Sequence, residues 1–325
     1  MKREDIYSEF LKVSRELGLP VKKILDMVFI LKDSGSVENN ELLRRLGVSR
    51  NVLNQVKKLL SAYFTESSSR TSSLVGKLEG FGECFPAGYQ TEEDIYKFLE
   101  TNEFQKIIGI LEDLKRPSPR REFDQFIATV ETMARRASLL NFMGDVRGKK
   151  ILFLGDDDFT SVAIASLNSA KEITVLDIDE IILNGIKDAS KKIDNHINTF
   201  KYDARKAPPS KFVNKFDVVF TDPPYTTAGI SLFVSRAISF LDKRNSSARI
   251  YVCYGNSDRA KERFLPIYDV FVDSGLMIRW VLDKFNRYIG AESIGGSSTL
   301  FICDVTPKTK PEVKGFFNEA IYTLD

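Results

Sequence analysis

A doubly wound α/β fold with a mainly helical N-terminal domain is what three features of this sequence predict. Ile151 to Leu154 is an apolar run that breaks at Gly155 into Asp156, Asp157 and Asp158, and Thr160 to Ala165 follows with helical character. That is the strand, loop and helix that open a parallel sheet, with the ligand expected just past the strand's carboxyl end. Strand-like and helical stretches then alternate regularly to about residue 254, as a parallel sheet requires. Finally, Glu38 to Leu60 carries two short amphipathic helices around a glycine turn.

With 325 residues and 43% hydrophobic content the chain buries a large core and exceeds the usual size of one domain. The expected division is a winged-helix-like N-terminal domain over 1–90, a helical linker region over 91–147 and a Rossmann-like catalytic domain over 148–325. A formal net charge of +2 implies no strong overall field. Cys84, Cys253 and Cys303 are widely spaced and form no C-x-x-C pair, so a reducing cytosol and no zinc site are expected. The N-terminus lacks an apolar signal core and no run reaches the roughly 18 apolar residues of a membrane span, so the expected location is cytoplasmic. His196 is the one histidine and lies in a polar stretch, so histidine-based chemistry is not expected.

In the N-terminal domain Leu42, Leu43 and Leu46 share a face, Gly47 turns the chain, Ser49 caps, and Val52, Leu53, Val56, Leu59 and Leu60 form the next apolar face. This is helix-turn-helix spacing, with Leu74 to Phe81 as the expected wing. One reading is DNA binding through Arg50, Asn51, Asn54, Gln55 and Lys57. The other is a small helical domain kept for dimerisation or for covering an active site. Glu38, Glu41 and Glu66 dilute the basic face, so the second reading is preferred and nucleic acid is not an expected partner. Thr91 to Leu114 continues as helix until Pro117 and Pro119 break it. Phe123-Asp124-Gln125 then opens a helix over 126–144. From there Gln125 reaches the ligand loop, and Asp124 either joins it or caps the helix.

The later strands each end in chemistry. Glu172 to Ile178 places Asp177 roughly 20 residues past the glycine, where an acid accepts hydrogen bonds from ribose hydroxyls. Asn198 to Tyr202 ends in Asp203, suited to the exocyclic amine of an adenine. Phe216 to Thr221 ends in Asp222-Pro223-Pro224-Tyr225. The prolines stiffen this turn and hold Asp222 and Tyr225 at the carboxyl edge of the sheet, the carboxylate toward an amino group and the ring toward a cation or base. Ala248 to Tyr254 is a fifth strand, and 277–285 with 298–305 reads as an antiparallel hairpin at the sheet edge. Seven strands closing in that hairpin are the Rossmann-like, class I methyltransferase-type architecture of enzymes that use S-adenosylmethionine.

The glycine and aspartate triplet, the V-L-D-I-D strand, D-P-P-Y-T, Phe123-Asp124-Gln125 and NRYIGAESIGGSS together resemble the branched-chain polyamine synthases of thermophilic archaea and bacteria, the N4-bis(aminopropyl)spermidine synthases. The resemblance covers nearly the whole chain. It implies an aminopropyltransferase that moves an aminopropyl group from decarboxylated S-adenosylmethionine to the central nitrogen of spermidine and releases methylthioadenosine. It also implies a homodimer.

The residue chemistry agrees. Three crowded carboxylates would repel a donor that keeps its methionine carboxylate, and they suit one whose tail is an ammonium. Spermidine is a polycation, and its central amine must lose a proton before attacking the methylene next to sulfur. Asp157 or Asp158 is the candidate base, with a pKa raised by like-charge neighbours, while Asp222 and Tyr225 orient the amine. Asp158, Asp222 and Tyr225 are the candidate polyamine contacts, and Gly155, Asp156, Asp177, Asp203 and Gln125 the candidate donor contacts. The sulfonium supplies the leaving group, so neither metal nor cofactor is expected and the decarboxylated donor is a co-substrate. The alternative function is an S-adenosylmethionine-dependent nucleic acid N-methyltransferase, with D-P-P-Y holding a flipped base.

Overall fold

The computed structural model describes residues 3–65, 70–75, 81–85, 88–93, 102–255, 261–289 and 296–323. The chain divides into two compact units. One comprises 1–101 with 139–145 and 244–247, and the other the remainder, so much of the expected linker region belongs to the second unit.

The first unit is built from α1 (Arg3–Leu17), α2 (Val21–Ser34), β1 (Ser36–Glu38), α3 (Asn39–Leu46), α4 (Arg50–Leu59) and β2 (Thr71–Ser73), with β1 and β2 antiparallel. The helix-turn-helix spacing appears as α3 and α4. Gly47 takes the left-handed conformation that ends α3 (φ 61°), and the Ser49 hydroxyl accepts a hydrogen bond from Val52 N at 3.4 Å. Leu42, Leu46, Leu53 and Val56 are buried against α1 and α2 residues such as Phe10 and Ile24, while Arg50, Asn51, Asn54 and Gln55 are exposed. Residues 76–80 of the expected wing lie outside the described residues; the described strand, β2, falls earlier.

The second unit starts with α5 (Asn102–Glu112); residues 94–101 of the expected Thr91 to Leu114 helix lie outside the described residues. Then come β3 (Ile127–Ala128), α6 (Val130–Phe142), β4 (Lys150–Leu154), α7 (Thr160–Ala165), β5 (Glu172–Asp177), α8 (Glu180–Lys192), β6 (Asn198–Lys201), β7 (Val218–Thr221), α9 (Thr227–Phe240), β8 (Arg249–Gly255), α10 (Leu265–Asp273), β9 (Met277–Ile289) and β10 (Ser297–Asp304). The sheet order is β3-β9-β10-β8-β7-β4-β5-β6. From β8 to β6 the strands are parallel, and β9 and β10 form the expected antiparallel hairpin. Parallel strands buried on both faces read as continuous apolar runs: Ile151 to Leu154 and Ile250 to Cys253 are all buried.

The sheet has eight strands where seven are expected. Ile127 and Ala128, expected in a helix over 126–144, instead pair antiparallel with Ile289 and Tyr288, and α6 starts only at Val130. Asp124 does not cap the start of α6. It ends a tight turn at φ 54°, and its carboxylate accepts from the backbone N–H of Thr323 at 2.8 Å and from the Thr323 hydroxyl.

Candidate active site

The strand order reverses beside β4, whose neighbours are β5 and β7, and the carboxyl ends of these strands open into a cavity of about 520 Å³. This switch point is where doubly wound sheets bind ligands. Gly155, Asp157, Asp177, Asp222, Tyr225 and Gln125 of the sequence candidates line it. Asp156, Asp158 and Asp203 do not.

The triplet separates because successive residues on a turn point in different directions. The Asp156 carboxylate accepts from Ser161 N at 3.1 Å in the first turn of α7, and its own N–H donates to Asp177 at 2.9 Å. It is buried, and burial pushes its pKa well above the usual carboxylate range. Asp158 accepts from Ala128 N at 2.6 Å and from an Arg136 guanidinium N–H at 2.7 Å. Asp157 faces the cavity and accepts no hydrogen bond from a described residue. Burial, then the charges of Asp158 and Asp222, raise its pKa well above the usual range. Of the two candidates for the base, Asp158 is held in an ion pair while Asp157 has unused lone pairs.

Among the candidate donor contacts, the Asp177 carboxylate accepts from Asp179 N at 2.8 Å and Asp156 N at 2.9 Å, which keeps it fixed at the cavity wall. Burial raises its pKa to about 6. Gln125 is held at the wall as its amide oxygen accepts from Arg120 N at 2.9 Å. Asp203 turns away and pairs with Arg205, whose Nε and an end N–H each donate at 3.0 Å. Its neighbours Tyr202 and Ala204 line the cavity instead.

Among the candidate polyamine contacts, the D-P-P-Y turn presents Asp222 with one oxygen accepting from the Tyr225 hydroxyl at 2.9 Å and the other from the Tyr288 hydroxyl at 2.6 Å. The Tyr225 ring packs on the backbone of Gly255 and 5.2 Å from the Tyr254 ring. Burial, then the Asp222 charge, push both phenols well above their ordinary pKa, so they stay protonated donors.

Two residues of this network were assigned no role on sequence. Arg136 on α6 is fully buried and bridges Asp158 and Asp222. A signal existed: at helical spacing it stands between Met133 and Leu140, on an apolar face where a charge needs a partner. Tyr288 stands in the quoted NRYIGAESIGGSS stretch, of which residues 290–295 lie outside the described residues.

The sheet order, the terminal hairpin and an acid-lined cavity at the switch point define a class I S-adenosylmethionine-dependent type of transferase fold. The profile of the branched-chain polyamine synthase A C-terminal domain matches residues 104–324, and the chain belongs to that family. An uncharacterised protein of Methanocaldococcus jannaschii, MJ0675, is 41% identical over 194 residues, covering 60% of this chain and 48% of the relative. The N(4)-bis(aminopropyl)spermidine synthase of Thermococcus kodakarensis is 33% identical over 216 residues, covering 65% of this chain and 61% of that protein. The chain thus spans about half to three fifths of the length of the curated relatives it matches. In fold it resembles the branched-chain polyamine synthase of Thermus thermophilus solved with N4-aminopropylspermidine and 5'-methylthioadenosine, with a TM-score of 0.60 at 19% identity over 99% of this chain and 98% of that one.

Proposed function

We propose that this protein transfers an aminopropyl group from decarboxylated S-adenosylmethionine to the central nitrogen of spermidine, giving N4-aminopropylspermidine, then N4-bis(aminopropyl)spermidine, and methylthioadenosine. The observation that carries this reading is Asp157, a carboxylate with unused lone pairs in a cavity between Asp177 and the Asp222–Tyr225 turn. The family supports the reading, as do the relatives named for this synthesis. Asp177 and Gly155 hold the donor's nucleoside, and Asp157 accepts the proton that the central amine loses. The nitrogen lone pair then attacks the methylene beside the sulfonium; the N–C bond forms, the C–S bond breaks, and its electron pair leaves with sulfur as the neutral thioether. After the first transfer the nitrogen is a tertiary amine that still has a lone pair when unprotonated, so a second attack gives a quaternary ammonium. That centre needs no hydrogen-bond acceptor and gains from the carboxylates and the Tyr225 ring.

The reaction needs no metal, because the sulfonium is the leaving group. Incubation with decarboxylated donor and spermidine should give branched products carrying one and then two added aminopropyl groups, identified by mass and fragmentation. A linear tetraamine as sole product would sink the proposal.

We also propose cytoplasmic action as a homodimer, with the N-terminal domain in a structural role. Leu265 and Val272 on α10 and Val281 on β9 leave apolar surface exposed. Sedimentation at micromolar concentration should give twice the chain mass, and a monomer would contradict the dimer.

A further inference from the structure

Arg136 is among the largest fully buried side chains in the protein, and all five of its N–H groups have acceptors. Nε donates to Asn286 Oδ1 at 2.8 Å. One end nitrogen donates to Asp158 at 2.7 Å and to Thr160 Oγ1 at 3.2 Å, the other to Asp222 at 2.8 Å and to the Tyr288 hydroxyl at 2.9 Å. One cation therefore joins the turn after β4 to the turn after β7, the loops that carry Asp157 and Asp222. Only a guanidinium has the donors for this; a lysine ammonium has three on a single nitrogen.

The other groups that face it come from every element around it. They are Asp158 just before α7 and Thr160 at its start, Asp222 after β7, Cys253 on β8, and Asn286 and Tyr288 on β9. Arg116, whose guanidinium donates to Ala128 O at 2.6 Å, adds a second cation near Asp157 and Asp158. Asp157 receives no hydrogen bond from either arginine.

We propose that Arg136 is a positioning residue that neutralises Asp158 and Asp222 together and so leaves Asp157 as the carboxylate of the site open to a proton. It does not line the cavity and acts through Asp158 and Asp222. Its consequence for turnover rests on the aminopropyl transfer reading, whereas the division of labour among the carboxylates stands on the geometry alone.

The test titrates the carboxyl carbons of protein labelled with 13C-aspartate in the absence of ligand, with resonances assigned by their loss in Asp157→Asn and Asp158→Asn. In the wild type the Asp157 resonance should titrate above that of Asp158. In Arg136→Met, Asp158 should move to higher pH by about one unit or more, because its counter-ion is gone. Turnover should fall about a hundredfold or more, with the dissociation constant for methylthioadenosine within about threefold of wild type. Arg136→Lys, which keeps the charge, should lie between the two in both readouts. An unmoved Asp158 titration in either variant would overturn the proposal, as would nucleoside binding that weakens in step with turnover. If Arg136→Met does not fold, the lysine variant decides alone. A wild type inactive with this donor would fail the functional reading and leave the titration arm intact.

Discussion

Asp157→Asn is expected to lower turnover by about two to four orders of magnitude while the fold persists. The amide has the carboxylate's shape and cannot take the proton of the central amine. No described residue donates a hydrogen bond to the carboxylate, so no described hydrogen bond is lost with it. Its raised pKa gives a second signature. A carboxyl whose folded pKa lies above its unfolded one lends stability at pH below the unfolded value, and that stability is lost as pH rises through the folded value. Above the unfolded value Asp157 therefore costs the fold stability, and at neutral pH Asp157→Asn should melt higher than wild type. In wild type, turnover should rise with pH through a limb above the ordinary carboxylate range, because the base works only when ionised. Asp177→Asn is the contrasting variant: it should weaken donor binding and leave the chemical step nearly intact, because the Asp177 carboxylate is expected at the ribose. Near-wild-type turnover in Asp157→Asn would leave the mechanism without its base.

Gly255→Ala is expected to do nearly as much damage from outside the reacting centre. A β-carbon at Gly255 would stand 2.3 Å from Cδ2 and 2.5 Å from Cε2 of the Tyr225 ring. Real β-carbons do not approach that closely, so the ring must move. Tyr225 holds one oxygen of Asp222 at 2.9 Å, and displacing the ring breaks that bond and re-aims the carboxylate meant for the acceptor amine. A misplacement of about 1 Å costs on the order of a hundredfold in rate. Overpacking should also lower stability by about 1–3 kcal/mol. Crucially, Gly255→Ala/Tyr225→Phe should be no slower than Gly255→Ala alone if the tyrosine hydroxyl is already out of place. Additive losses would show that the glycine acts by another route.

The parallel strands were legible because strands buried on both faces are apolar throughout, as in Ile151 to Leu154, and their carboxyl ends could be read off the acids that follow. Hence Asp157, Asp177 and Asp222 could be placed together before any fold was seen. Which of the chain neighbours Asp157 and Asp158 is the base is not legible in the sequence, because what separates the triplet comes from elsewhere. Ser161 N takes Asp156, whereas Ala128 N and Arg136 take Asp158. The strand that brings Ala128 there is two residues long, too short to show an alternation. Asp203 sits where sequence puts an adenine contact, yet Arg205, two residues on, folds back and occupies it. Tyr288 and Arg136 draw their meaning from distant partners: Tyr288 meets Asp222 from 66 residues away, and Arg136 meets Asp158 from 22 and Asp222 from 86.

Under the proposed function these carboxylates select a donor with a cationic tail. A donor that keeps its carboxylate brings a negative charge toward Asp157, the triplet carboxylate that faces the cavity outside the Arg136 ion pairs, and repulsion of a few kcal/mol is the expected scale. The most direct measurement compares decarboxylated with intact S-adenosylmethionine, each with spermidine, following alkyl transfer by mass. The decarboxylated donor should support transfer at least about a hundredfold faster, with intact donor giving little or no methylated product. Equal activity with intact S-adenosylmethionine as a methyl donor would contradict the account.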